Sequence, residues 1–148
     1  MEDRIEVSIR LHAPIERVWR AIADPASFGA WFRVKIDTPF APGQPATGHI
    51  TYPGFEHLRW EIVIRRMDEP HLFSFTWHPY AIDPSADYSQ EEPTLVEFRL
   101  EAAGADTKLT VVESGFSRLP VHRYSDAFRA NSGGWEQQMK NITAYVEH

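Results

Sequence analysis

The chain has 148 residues, 43% of them apolar, no cysteine and a formal charge of −6. That is enough for one domain, residues 1–148, to bury roughly 70% of its unfolded surface in a single core, and without cysteine disulfides and thiolate chemistry are excluded. The negative charge speaks against nucleic acid, whose phosphates need a basic partner, and no apolar run approaches the ~20 residues of a membrane span. The opening MEDRIEVS is charged and alternating, unlike a signal peptide, and fits a cytoplasmic setting.

RIEVSIRLH (4–12) puts Ile5, Val7, Ile9 and Leu11 on one side, which predicts a half-buried strand. The period then changes: Pro14 suits a first helical position, and Ile15, Val18, Trp19 and Ile22 form a helical stripe. Asp24-Pro25 ends that helix, and ASFGAWF predicts a short second helix or a turn that delivers Phe28, Trp31 and Phe32 to the core. From there to about residue 115 the signals are strands. RVKIDTPF is followed by a turn in APGQPATG, then by HITYP. LRWEIVIRRM aligns Leu58, Trp60, Ile62 and Ile64, and LFSFTWH aligns Phe73, Phe75 and Trp77. A loop of about fifteen residues, PYAIDPSADYSQEEP, is long enough for a lid or a disordered tip. TLVEFRLEA turns Val96, Phe98 and Leu100 inward, and TKLTVVESG completes the run. The closing stretch places Trp135, Met139, Ile142 and Val146 on one helical face, directly behind Gly133-Gly134.

One strand, two helices, six strands and a terminal helix predict an α+β fold, with a curved seven-stranded antiparallel sheet covered by the last helix. Such a sheet leaves a cavity or groove between itself and the helix, the expected ligand site. Five tryptophans, five tyrosines and nine phenylalanines are available to line it or fill it.

Glu113 shares the strand parity of Leu109 and Val111 and should point inward. A desolvated carboxylate there favours its neutral form and would serve as proton donor or ligand anchor. If the strand instead ends at Val112, Glu113 caps a turn or pairs with Arg59 or Arg123. Trp60, Phe75, Trp77 and Phe98 lie on the expected concave face, opposite Trp135 and Met139. With Glu113 these are the candidate ligand-binding residues. Seven histidines form no metal motif, and His71 and His78 face opposite sides, so no metal is expected. Ser114 lacks a nucleophile elbow, and APGQPATG lacks the ending of a phosphate loop. The acidic loop residues Asp83, Asp87, Glu91 and Glu92 fit no calcium pattern. No catalytic residue and no cofactor are assigned.

APIERVWRAIADPASFGAWF (13–32), HLFSFTWH (71–78), TKLTVVESGF (107–116) and GGWEQQMKNITAYVE (133–147) resemble the START and Bet v 1-like (SRPBCC) superfamily. Within it they are most similar to single-domain proteins grouped with the Hsp90 ATPase activator. The resemblance implies a helix-grip fold and a long final helix starting near Ser125 or Asp126. Gly133-Gly134 would then sit mid-helix, where it passes close to the sheet and the first two helices. The expected function is binding of an apolar or aromatic small molecule between sheet and C-terminal helix. Two alternatives belong to the same resemblance. One is a cyclase or dehydratase using Glu113 with Tyr52, Arg59 or His78; the other is a chaperone-interacting module with an exposed patch.

Overall fold

The computed structural model describes residues 2–147. Alternating side chains make strand β1, Arg4–Leu11, with Ile5 and Leu11 buried and Val7 and Ile9 packed at the core edge. Helix α1, Ile15–Ala23, buries Val18, Trp19, Ala21 and Ile22. Pro14 is its extended N-cap, one position earlier than its fixed φ suggested. Asp24 both stops α1 and starts α2, Pro25–Phe32. Its carboxylate accepts from the N–H and the hydroxyl of Ser27 at 2.9 and 2.8 Å, and Pro25 occupies the first helical position.

The remaining strands are β2 (Val34–Ile36), β3 (Pro45–Ile50), β4 (Arg59–Asp68), β5 (Leu72–Trp77), β6 (Thr94–Ala103) and β7 (Asp106–Ser114). They form one antiparallel sheet in the order β1-β7-β6-β5-β4-β3-β2. The first strand thus pairs with the last, and the rest follow as a meander. β3 starts inside the stretch expected to be a turn. Its register sets Gly48 against Ile36 of β2, and a Cβ at Gly48 would lie 2.1 Å from the Lys35 carbonyl oxygen. That glycine is a close-approach residue of a strand, and reads as a turn signal only in the sequence.

A short 3-10 turn, Phe116–Arg118, leads into helix α3, Val121–Val146, which begins earlier than Ser125. α3 lies on the concave face and buries Ala127, Trp135, Met139, Ile142 and Val146. The core between sheet and helices is largely aromatic. Phe28 touches Trp31, Phe32, Phe40, Trp60 and Phe98 at ring-centroid distances of 4.9–6.3 Å. The long β5–β6 loop is tied down by Arg123 of α3. The guanidinium donates to Glu91 at 2.8 Å and to the carbonyls of Pro79 and Tyr80 at 2.8 and 2.9 Å. It also lies 4.6 Å from the Tyr88 ring centre.

Candidate functional site

Strand β7 continues through Ser114 and keeps its alternation, so Glu113 points inward beside Val96 of β6 and Ile5 of β1. It is 0% exposed. Four side chains donate to its carboxylate. Trp77 Nε1 and Thr94 Oγ1 reach Oε2 at 2.7 and 2.5 Å. Trp135 Nε1 and Asn131 Nδ2 reach Oε1 at 2.7 and 2.8 Å. An indole N–H can only donate, so this cradle fits the acceptor-only, ionised carboxylate. Neither arginine considered from the sequence is its partner: Arg59 pairs with Glu61 and Arg123 with Glu91. Hydrogen bonds to a charged group are worth about 1.5–3 kcal/mol each, and here they take the place of a counter-ion.

Three elements deliver the four donors. Trp77 is the last residue of β5 and pairs in register with Thr94, the first of β6. Asn131 and Trp135 are one turn apart on α3, so both look down on the same spot. Thr94 and Asn131 are the residues the sequence reading missed. Both carried a signal: Thr94 shares the parity of Val96 and Phe98, and Asn131 precedes Trp135 by four.

The seven candidate residues do come together. Phe75, Phe98 and Glu113 are fully buried, and Trp60, Trp135 and Met139 nearly so. Trp77 is half-buried and packs against Trp135 at 5.8 Å and Phe75 at 5.2 Å. Phe98 meets Trp135 at 5.7 Å, and Phe32 of α2 meets Trp60, Trp77 and Trp135 at 6.1–6.2 Å. Most of the interior is therefore filled by the protein's own rings. A cleft of about 90 Å³ stays open, lined by Phe32, Trp77, Asn131, Gly134, Trp135 and Gln138, well below the ~300 Å³ at which drug-sized pockets begin. Trp77 and Trp135 line it, while Trp60, Phe75, Phe98 and Met139 belong to the core cluster and not to the lining.

Gly133 and Gly134 do sit mid-helix, but close packing is not why. A Cβ at either position meets nothing within 4 Å. Gly134 borders the cleft and leaves its mouth clear. Tyr52 is 52% exposed, Arg59 is exposed and ion-paired, and neither is bonded to Glu113. His78 Nδ1 and Trp60 Nε1 are buried polar atoms without partners. A wider depression of about 390 Å³ lies on the outer face of the sheet, among Glu6, Arg99, Leu100, Glu101, Lys108 and Thr110. Its charges of both signs alternate on exposed strands, as a solvated face requires. Among the described residues, no group of three or more His, Cys, Asp or Glu could hold a metal ion, and no helix is long and apolar enough to cross a membrane.

A seven-stranded sheet gripping one long helix, with a small cleft over a buried polar cradle, defines a helix-grip domain. The family described as Activator of Hsp90 ATPase homolog 1-like protein matches residues 12–147, and the chain belongs to it. A comparison with curated proteins finds no match. Among solved structures, the chain is similar to protein MLL2253 from Mesorhizobium loti, at 21% identity and a TM-score of 0.75, covering 97% of this chain and 96% of that one. It is also similar to protein CV1439 from Chromobacterium violaceum, at 20% identity and a TM-score of 0.74 over 100% and 99% of the two chains. A protein from Arthrobacter aurescens gives 18% identity and a TM-score of 0.78 over 97% and 85%. At these identities the likeness is one of fold.

Proposed function

We propose that this chain binds a hydrophobic or aromatic small molecule at the cleft between α2, the end of β5 and α3. The observation that carries the reading is the lining itself: three aromatic rings, from Phe32, Trp77 and Trp135, face a gap that Gly134 leaves unroofed. The gap takes one ring or headgroup, and the rest of the ligand lies across the surface beside α3. Phe75 packs on Trp77 and Phe98 on Trp135, and Glu113 locks the orientation of both tryptophans. A role for Glu113 as acid or base gains no support, because its lone pairs are occupied by protein donors.

The test is saturation-transfer NMR with neutral probes, 2-naphthol and hexan-1-ol, on the wild type and on Gly134→Leu. Leucine on the open side of the helix extends across the mouth, so binding should weaken at least about tenfold while the melting temperature is kept or raised. Equal binding by the variant, or none by the wild type, would overturn the reading.

A second reading draws on the family description, which names an Hsp90 ATPase activator. It also draws on one surface feature: Tyr52 and Phe55, 52% and 49% exposed, pack together at 5.9 Å in the loop between β3 and β4. Docking on a chaperone through this pair is independent of the cleft and indifferent to Gly134→Leu.

A further inference from the structure

We infer that the group this cleft recognises is an alkylated ammonium, so that its ligand is an organic cation; the inference rests on the cleft being a binding site. Three features of the lining converge on that chemistry. First, the carboxylate directly behind the cleft has no cationic partner among the described residues. Its charge is held by Trp77, Thr94, Asn131 and Trp135, and three of those four donors are themselves cleft-lining residues. The negative charge is thus one side chain away from whatever enters. In a buried setting that field is poorly screened.

Second, three of the six lining residues are aromatic, and Trp77 is the half-buried one among them. Trp77 and Trp135 incline at 31° to each other with centres 5.8 Å apart, and Phe32 stands 6.2 and 6.1 Å from them. Faces of aromatic rings are the negative ends of their quadrupoles, and tryptophan is the strongest of them toward a cation. Both indoles donate their N–H to the carboxylate, which pushes electron density back onto the rings and makes those faces more attractive to positive charge.

Third, the cleft offers an anion no cation and no free indole N–H, only the second amide N–H of Asn131 and of Gln138. The indole N–H groups are spent on Glu113, Asn131 donates to Glu113, and Gln138 donates to the Phe32 carbonyl at 3.1 Å. No lining residue is basic. A carboxylate, phosphate or sulfate would meet the field of Glu113 with no cation to offset it. A methylated ammonium needs no hydrogen bond, fits a gap of about 90 Å³, and is attracted both by the faces and by the charge behind them.

The probes that decide this are choline and its neutral isostere, 3,3-dimethylbutan-1-ol, which differ only in exchanging N⁺ for carbon. Each is titrated by calorimetry into the wild type, Gly134→Leu and Glu113→Gln. Choline should bind the wild type at least about tenfold more tightly than the alcohol, Gly134→Leu should weaken both, and Glu113→Gln should remove most of the choline advantage. If Glu113→Gln does not fold, the choline-to-alcohol ratio on the wild type decides alone. A ratio near one overturns the cation inference and leaves the cleft standing as an apolar site. Binding of neither probe overturns the cleft itself.

Discussion

Trp60 and Trp135 are 4% and 2% exposed, but only Trp135 has a partner for its N–H, the carboxylate of Glu113. Replacing either by phenylalanine removes a similar apolar area and leaves a similar small void. The two substitutions differ in the hydrogen bond. Trp135→Phe strips a donor from a buried charge, whereas Trp60→Phe deletes a donor that bonds to nothing. Trp135→Phe should therefore cost about 2 kcal/mol more than Trp60→Phe, read as the difference in urea midpoints at an unchanged m-value. Equal losses would mean that the cradle around Glu113 contributes nothing to stability. At this scale the sequence was informative about parity and silent about pairing. The inward turn of Glu113 followed from Leu109 and Val111, and the face shared by Trp135 and Met139 from their helical spacing with Ile142 and Val146. That two indoles from β5 and α3 converge on one carboxylate depends on how the helix is set against the sheet. No local pattern encodes that.

The elements show where local signals mislead. Helix α1 and the apolar strands β1, β5, β6 and β7, with β4 as far as Ile64, were legible from their periods of 3.6 and 2, whereas PASFGAWF, which forms α2, shows no such period and read equally as a turn. β3 was displaced because PATGHI opens with proline and carries Gly48, punctuation that normally marks a loop. Here Pro45 is the first residue of its strand and Gly48 admits the Lys35 carbonyl, both permitted uses. α3 was expected to carry its glycines for lack of room, and the structure shows open space instead. Two mid-helix glycines without a packing reason leave the helix less stable than it could be. Gly133 does not line the cleft, so Gly133→Ala should stabilise the protein by about 1 kcal/mol. That would raise the melting temperature by about 2–4 °C with probe binding unchanged. A loss of stability would show that the helix needs flexibility at this point.

At the scale of the whole molecule, α3 is latched to the first residues of the chain at both ends. Near its start the Tyr124 hydroxyl donates to the Glu2 carbonyl at 2.6 Å. At its end Glu147 accepts from the His12 N–H at 2.9 Å, and Arg17 donates to the Val146 carbonyl at 3.1 Å. Asp3 completes the first latch. Its carbonyl accepts from the N–H groups of Gly115 and Phe116 at 3.0 and 3.1 Å, and its carboxylate accepts from Ser117 and Gly115. The sequence separations are above one hundred residues, so each latch closes a loop nearly as long as the chain, and the first joins the β1 edge to the segment that leads into α3. The Ser117 hydroxyl, then the Ser117 N–H, hold the Asp3 carboxyl below its ordinary 3.8. A depressed carboxylate contributes stability that is complete above the unfolded value and is lost as pH falls through the lower folded one. Asp3 is exposed, so the contribution is modest. Asp3→Ala should cost about 0.5–1 kcal/mol at pH 7, a fall of about 2–3 °C in melting temperature, and the gap to wild type should narrow only below about pH 4. Should the gap instead close between pH 5 and 7, a different group would be carrying the latch. Should there be no gap at pH 7, the β1 edge would be held by its ladder with β7 alone.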